Sequence, residues 1–170
     1  MSSHVLVAYD DSPQAEQALS FAREAFPDAD LTLLTVIDPA DAGSRRRLSL
    51  PPLGDEWLER AREDAREHLT AAVDRVEDPD RSVQTAIEIG RPTNAVVDYA
   101  DAHDVDHVVM GSHGRSGVTR ILLGSVAESV IRRSPVPVTV TRGKTNAPED
   151  SSDGTSENGP TGETPEGGPA

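Results

Sequence analysis

Apolar residues fall along this chain in short runs that alternate with stretches of helical periodicity. His4–Tyr9 (HVLVAY) is a compact apolar run and Leu31–Ile37 (LTLLTVI) is a second. Ser82–Ile89, His107–Met110 (HVVM) and Val136–Thr141 (VPVTVT) complete a set of candidate strands. Between the first two runs, Ala15, Ala18, Leu19, Ala22 and Phe26 recur at the spacing of one helix face, up to Pro27. Ser12 and Pro13 stand where a helix wants an N-cap and a first-turn proline. A second helix is predicted from about Asp55 to Val76, with Trp57, Leu58, Ala61, Ala65, Leu69, Ala72 and Val76 on its apolar face. Arg91-Pro92-Thr93 opens a third, carrying Ala95, Val96, Tyr99 and Ala100, and a fourth lies near Ser125–Arg133. No internal repeat is visible.

Strands that alternate with crossover helices predict an α/β domain with buried parallel strands. The expected architecture is a doubly wound, Rossmann-like, five-stranded parallel sheet of strand order 3-2-1-4-5 with four helices. Ligands of such sheets sit beyond the carboxyl ends of the strands, where the strand order reverses. That rule selects the turn after the first strand (Asp10), the end of the second (Val36-Ile37-Asp38) and the segment from Gly111 onward.

The pattern stops at Gly143. From there to Ala170 no Val, Ile, Leu, Met or aromatic residue occurs, so residues 143–170 are expected to form a disordered acidic tail behind one domain of residues 1–142. The tail holds Lys144, the only lysine, against six acidic residues; the domain keeps 15 Arg against 24 Asp and Glu, a net of −9. This excess of anions disfavours a general affinity for nucleic acid. The acidic, lysine-poor surface resembles that of proteins from salt-loving organisms, in which strong salt screens self-repulsion, although a GC-rich genome also favours Arg over Lys. No apolar run approaches the roughly 18 residues that span a bilayer, and the start MSSHVLVAYDDS has no basic segment ahead of an apolar one. The expected compartment is therefore cytoplasmic, without a membrane partner. The chain has no cysteine, which excludes disulfides and thiolate metal sites.

The stretch richest in chemistry is Gly111-Ser-His-Gly114-Arg-Ser-Gly117-Val-Thr-Arg-Ile-Leu-Leu-Gly124-Ser125-Val126. It leaves a strand and enters a helix. Glycines let a backbone approach an anion, successive N–H groups form a concave anion site, and the helix start adds unpaired donors and the positive end of a dipole. Ser125 can add a hydroxyl, or simply cap the helix. A side chain at position 124 is expected to fill the phosphate position. The stretch contains no G-x-x-x-x-G-K-[ST] loop, and the first strand ends in Ala8-Tyr9-Asp10-Asp11 rather than in a dinucleotide fingerprint. The usual machinery of rapid phosphate hydrolysis is thus missing, which favours binding, or slow hydrolysis at most.

The spacing Gly111-x2-Gly114-x9-Gly124-Ser125 resembles the nucleotide-binding signature of the universal stress protein family. The likeness extends to VLVAYDDSPQAEQAL, LTLLTVIDP and HVVMGSHGRSGVTRILLGSVAESVIRRSPVPVTVTR, over about residues 4–142. It implies a subgroup that binds ATP, or AMP or ADP, with Mg²⁺ or Mn²⁺ bridging phosphate oxygens. By that resemblance Asp10 lies near the ribose or adenine and Val36 offers its backbone to the adenine edge. Gly111, Gly114, Gly124, Ser125 and Val126 hold the phosphates, and Arg115 beside them neutralises charge or pairs with surface carboxylates. The family's homodimer implies that the Val136–Thr141 edge strand pairs with its copy.

Plainer readings stand beside these. Asp10 also suits a simple turn, Ser12 a cap, and His113 an exposed loop position. His103 and His107 have H-x3-H spacing, but a helix end and a strand separate them, which argues against a metal pair. Arg45–Arg47 either fold over a ligand or lie in an exposed loop. Two other functions compete with a regulatory nucleotide binder. One is an ATP-using enzyme of the adenylation or pyrophosphatase type, whose Ser-Gly-Gly-x-Asp-Ser loop is absent here. The other is a nucleotide-free interaction protein.

Overall fold

The computed structural model describes residues 3–40, 55–76, 81–113 and 123–142. Gly114, Arg115, the Arg45–Arg47 run and the 143–170 tail lie outside the described residues, as do the expectations placed on them. Five strands, β1 (His4–Ala8), β2 (Asp30–Ile37), β3 (Val83–Ile89), β4 (His107–Gly111) and β5 (Val138–Thr141), form one sheet of order β3-β2-β1-β4-β5. Every neighbouring pair is parallel, with Val7 opposite both Leu33 and Val109 in the central three strands. The helices α1 (Pro13–Ala25), α2 (Asp55–Asp74), α3 (Pro92–Ala102) and α4 (Ser125–Arg133) cover its two faces.

The alternation of side chains along a strand divides the core in two. Val5, Val7, Leu31, Leu33 and Val109 turn to the face that α1 and α2 cover. Leu6, Leu34, Val108 and Met110 turn to the face under α3 and α4. Both sets come from nearly continuous apolar strands, which is why β1, β2 and β4 read so clearly in the sequence. The edge strands are less buried; β3 leaves Gln84, Thr85, Glu88 and Ile89 exposed.

The helix ends show local sequence control. Ser12 has extended dihedrals (φ −82°, ψ 156°), its Oγ accepts from the Ala15 amide at 3.1 Å, and Pro13 follows as the first helical residue. At the other end of α1, Arg81 donates to the carbonyls of Arg23, Phe26 and Ala29, gathering oxygens that the helix terminus leaves unpaired. β5 starts two residues later than its apolar run suggests. Pro135 and Pro137 cannot donate to a ladder, although the Pro137 carbonyl still accepts from the Val108 amide at 2.9 Å. The N-terminal ends of the strands are tied by His4 Nε2 with Thr32 Oγ1 and by His107 Nε2 with Thr139 Oγ1, both at 2.8 Å. The carboxyl ends surround a cavity.

Candidate functional site

A cavity of about 800 Å³ lies beyond the carboxyl ends of β1, β2 and β4. This is where the strand order reverses on either side of β1, the place such a sheet offers a ligand. Its floor begins with the turn after β1. Asp10 Oδ1 accepts from the Ser12 amide at 3.1 Å and from Ser12 Oγ at 2.5 Å, so the carboxylate locks the turn that starts α1. The turn role read from the sequence is thus present in Asp10, and the residue also lines the cavity. Asp11 carries a φ of 61°, unusual for a residue with a Cβ, and its Oδ2 faces His68 Nε2 at 3.6 Å. Next to them, Thr35 Oγ1 donates to the Tyr9 carbonyl at 2.8 Å, fixing β2 against the β1 exit. Val36 packs its side chain on the α3–α4 core and borders the cavity at the end of β2.

Two glycines of the sequence signature have steric causes that the sequence does not display. A Cβ on Gly111 would lie 2.7 Å from Gln14 Cβ and 3.0 Å from the Gln14 carbonyl carbon. Glycine at this position lets the first turn of α1 sit against the end of β4. A Cβ on Gly124 would lie 2.7 Å from the Ser112 carbonyl oxygen, and that same oxygen accepts the Gly124 amide at 2.8 Å. The expectation that a side chain at 124 would occupy the phosphate position is thus replaced. Position 124 faces Ser112 and brings the start of α4 onto the end of β4, and its N–H is already engaged.

Among the described residues, the helix-start amides without an intrahelical acceptor follow one residue later. Gly124 is the N-cap of α4, with no side-chain cap, and the first intrahelical bond runs from the Glu128 amide to the Gly124 carbonyl at 2.9 Å. The amides of Ser125, Val126 and Ala127 precede that bond, and all three residues line the cavity. The helix end therefore presents backbone donors and a positive dipole end to whatever fills the space. His113 Nδ1 lies 3.2 Å from the Ser112 hydroxyl at the same mouth.

The wall opposite was not legible as a site. Trp57, Arg60, Ala61, Asp64, Ala65 and His68 of α2 line the cavity in one stripe. Sequence reasoning placed Trp57, Ala61 and Ala65 on an apolar face but missed the polar members. The spacing 57-60-64-68 would have found them, since it traces one helix face. Behind this wall, the Tyr9 phenol donates to Glu16 Oε1, which also takes an Arg75 guanidinium from the end of α2. Burial first, then the hydrogen bond and charge of Glu16, raise the Tyr9 pKa far above the ordinary phenol value.

Among the described residues no group of three or more His, Asp or Glu is placed to hold a metal ion. His103 and His107 have separate partners: the ring of His103 stacks on Tyr99 at 3.8 Å, whereas His107 faces Phe26 and Thr139. No helix among the described residues is long and apolar enough to cross a membrane.

Comparison with known proteins gives a consistent family. The Universal stress protein family model matches residues 1–142. The chain is 31% identical over 157 residues to universal stress protein MJ0577 of Methanocaldococcus jannaschii, covering 85% of this chain and 97% of that one. A solved structure of MJ0577 superposes with a TM-score of 0.73 at 32% identity, over 85% of this chain and 99% of the other. The crystal structure of a universal stress protein in complex with cAMP gives a TM-score of 0.54 at 26% identity, over 82% and 95% of the two chains.

Proposed function

The chain belongs to the universal stress protein family, and on that premise we propose that it is a regulatory protein that binds an adenine nucleotide, ATP or its ADP and AMP forms, and hydrolyses it slowly at most. The observation that carries this reading is that Ser125, Val126 and Ala127, whose amides precede the first intrahelical bond of α4, line a cavity of about 800 Å³ at the reversal of strand order. Backbone donors at a helix start bind phosphate without a lysine. Asp10 and the backbone of Val36 face the ribose and base; Ser125 and Val126 take phosphate oxygens. Gly111 and Gly124 shape the cradle by close packing, and Gly114 and Arg115 belong to its remaining part by sequence. The related protein solved with cAMP supports a nucleotide-sized ligand for this fold.

Mg²⁺ or Mn²⁺ accompanies the nucleotide. Such an ion would be held through phosphate oxygens of the nucleotide and would offset their charge. The chain acts as a homodimer through β5. α1 and α4 pack on β5, an outer strand of the sheet, and Phe21 (38%) and Ile131 (46%) of these helices are exposed. The acidic, lysine-poor composition suits a saline cytoplasm.

Mass analysis of small molecules released from the purified full-length chain tests the central reading. An adenine nucleotide, or a rise in melting temperature with ATP and Mg²⁺ in concentrated salt, is the expected result. Absence of both is the outcome that overturns it. AMP or pyrophosphate released in step with a second substrate would favour an ATP-using enzyme instead.

A further inference from the structure

We infer that Trp57 is the base-stacking wall of the cavity and selects a purine over a pyrimidine nucleotide; the inference rests on the nucleotide-binding reading above. Trp57 is the single tryptophan of the chain. A large aromatic residue on an amphipathic helix normally goes to the core, yet Trp57 joins neither core cluster. The part of α2 that packs is its second half, where Ala65, Leu69 and Ala72 are buried. None of the residues from Asp55 to Asp64 is buried, and Trp57, Arg60, Ala61 and Asp64 among them line the cavity. Trp57, Ala61 and Ala65 form an apolar strip of that wall, with Arg60 and Asp64 beside it, across from the cradle made by Ser125–Ala127.

The chemistry of such a strip is specific. A half-buried indole at the rim of a polar cavity presents a flat apolar face, and a nucleobase supplies the matching flat partner. A purine covers more of that face than a pyrimidine, so the gain on binding is larger. Arg60, one helical turn from Trp57, is the arginine that lines the cavity among the described residues, and it supplies a cation on the same wall. Phosphate is held by the backbone of α4 and the base by a side chain of α2, so the two helices divide the ligand between them.

Because emission from the wild-type chain reports position 57 alone, full-length protein in concentrated salt with Mg²⁺ gives a direct test. ATP and AMP quench or shift the tryptophan emission, while inorganic tripolyphosphate and ribose 5-phosphate, which lack a base, leave it unchanged. By calorimetry, Trp57→Ala lowers ATP affinity about tenfold and narrows the preference for ATP over CTP, and Trp57→Phe loses about threefold or less. Circular dichroism confirms that the variants fold, and the fluorescence arm needs no variant. Calorimetric binding of ATP to the parent without any change in Trp57 emission, or equal ATP affinity in parent and Trp57→Ala, overturns the inference and leaves the nucleotide reading standing. Failure of the parent to bind ATP, ADP and AMP overturns both.

Discussion

Gly124→Ala places one methyl group where the structure has no room for it. The residue has φ −63° and ψ 152°, dihedrals that alanine adopts freely, so backbone strain contributes nothing. The added Cβ would stand 2.7 Å from the Ser112 carbonyl oxygen, and because that atom is main chain it cannot rotate away. Relief requires the start of α4 to move off the end of β4, which stretches the 2.8 Å bond from the Gly124 amide to Ser112. Overpacking of this kind costs ~1–3 kcal/mol, and loss of one neutral hydrogen bond adds about 1 kcal/mol. For a domain of this size a total near ~2–3 kcal/mol lowers the melting temperature by roughly 5–10 °C. The same displacement carries the amides of Ser125–Ala127 out of place, so nucleotide affinity falls as well. Thermal denaturation followed by circular dichroism, with and without ATP and Mg²⁺, measures both effects. A Gly124→Ala protein that melts within a degree of the parent would refute the steric argument. Gly90→Ala is the contrast: Gly90 has φ 147° and no atom within 4 Å of its added Cβ, so conformation alone destabilises and ATP affinity stays at the parental value.

Glu16→Ala removes the acceptor of the buried Tyr9 hydroxyl, and the stranded group should cost about 1–3 kcal/mol in urea unfolding; the more exposed Arg75, removed alone, should cost under about 1 kcal/mol. Burial lowers the His107 pKa from its ordinary 6.5, so the unfolded chain binds this proton more readily than the folded one. Its contribution to stability is complete above pH 6.5 and declines as pH falls through that value towards the lower folded pKa; melting temperature against pH should show this slope, and His107→Gln should flatten it. In β5, the Pro137 and Thr141 carbonyls both point to β4, so Val140 directs its amide to the open edge. Val140→Pro should therefore convert a dimer to a monomer in light scattering while the sheet persists. Raising KCl from about 0.1 to about 2 M should raise the melting temperature by screening the repulsion of the acidic surface, and an unchanged midpoint would contradict the saline reading.

The central strands were readable because burial on both faces leaves β1, β2 and β4 almost wholly apolar. The start of α1 was readable because Ser12 and Pro13 act within one turn of chain. Contacts made across the fold were not. Nothing near Gly111 in sequence announces Gln14, and nothing near Gly124 shows that its Cβ direction meets the Ser112 carbonyl. At Gly111 and Gly124 the structure shows close packing against Gln14 and Ser112 as the physical cause of the glycine spacing. Arg81 looked like one arginine among many, yet its role depends on where α1 happens to end. The cavity wall of α2 was half visible: an apolar stripe says that a helix buries a face, but not whether that face meets the core or a ligand. Trp57 lies on the part that joins neither core cluster among the described residues.

Amide shifts in a ¹H–¹⁵N NMR spectrum, recorded while ATP and then adenosine are added to the full-length protein with Mg²⁺, test the central claim most directly. The account requires the Ser125, Val126 and Ala127 amides to move most with ATP and far less with adenosine, because only the former brings a phosphate to the start of α4. Equal responses to both ligands at these amides, or an ATP response confined to the β3 edge, would contradict it.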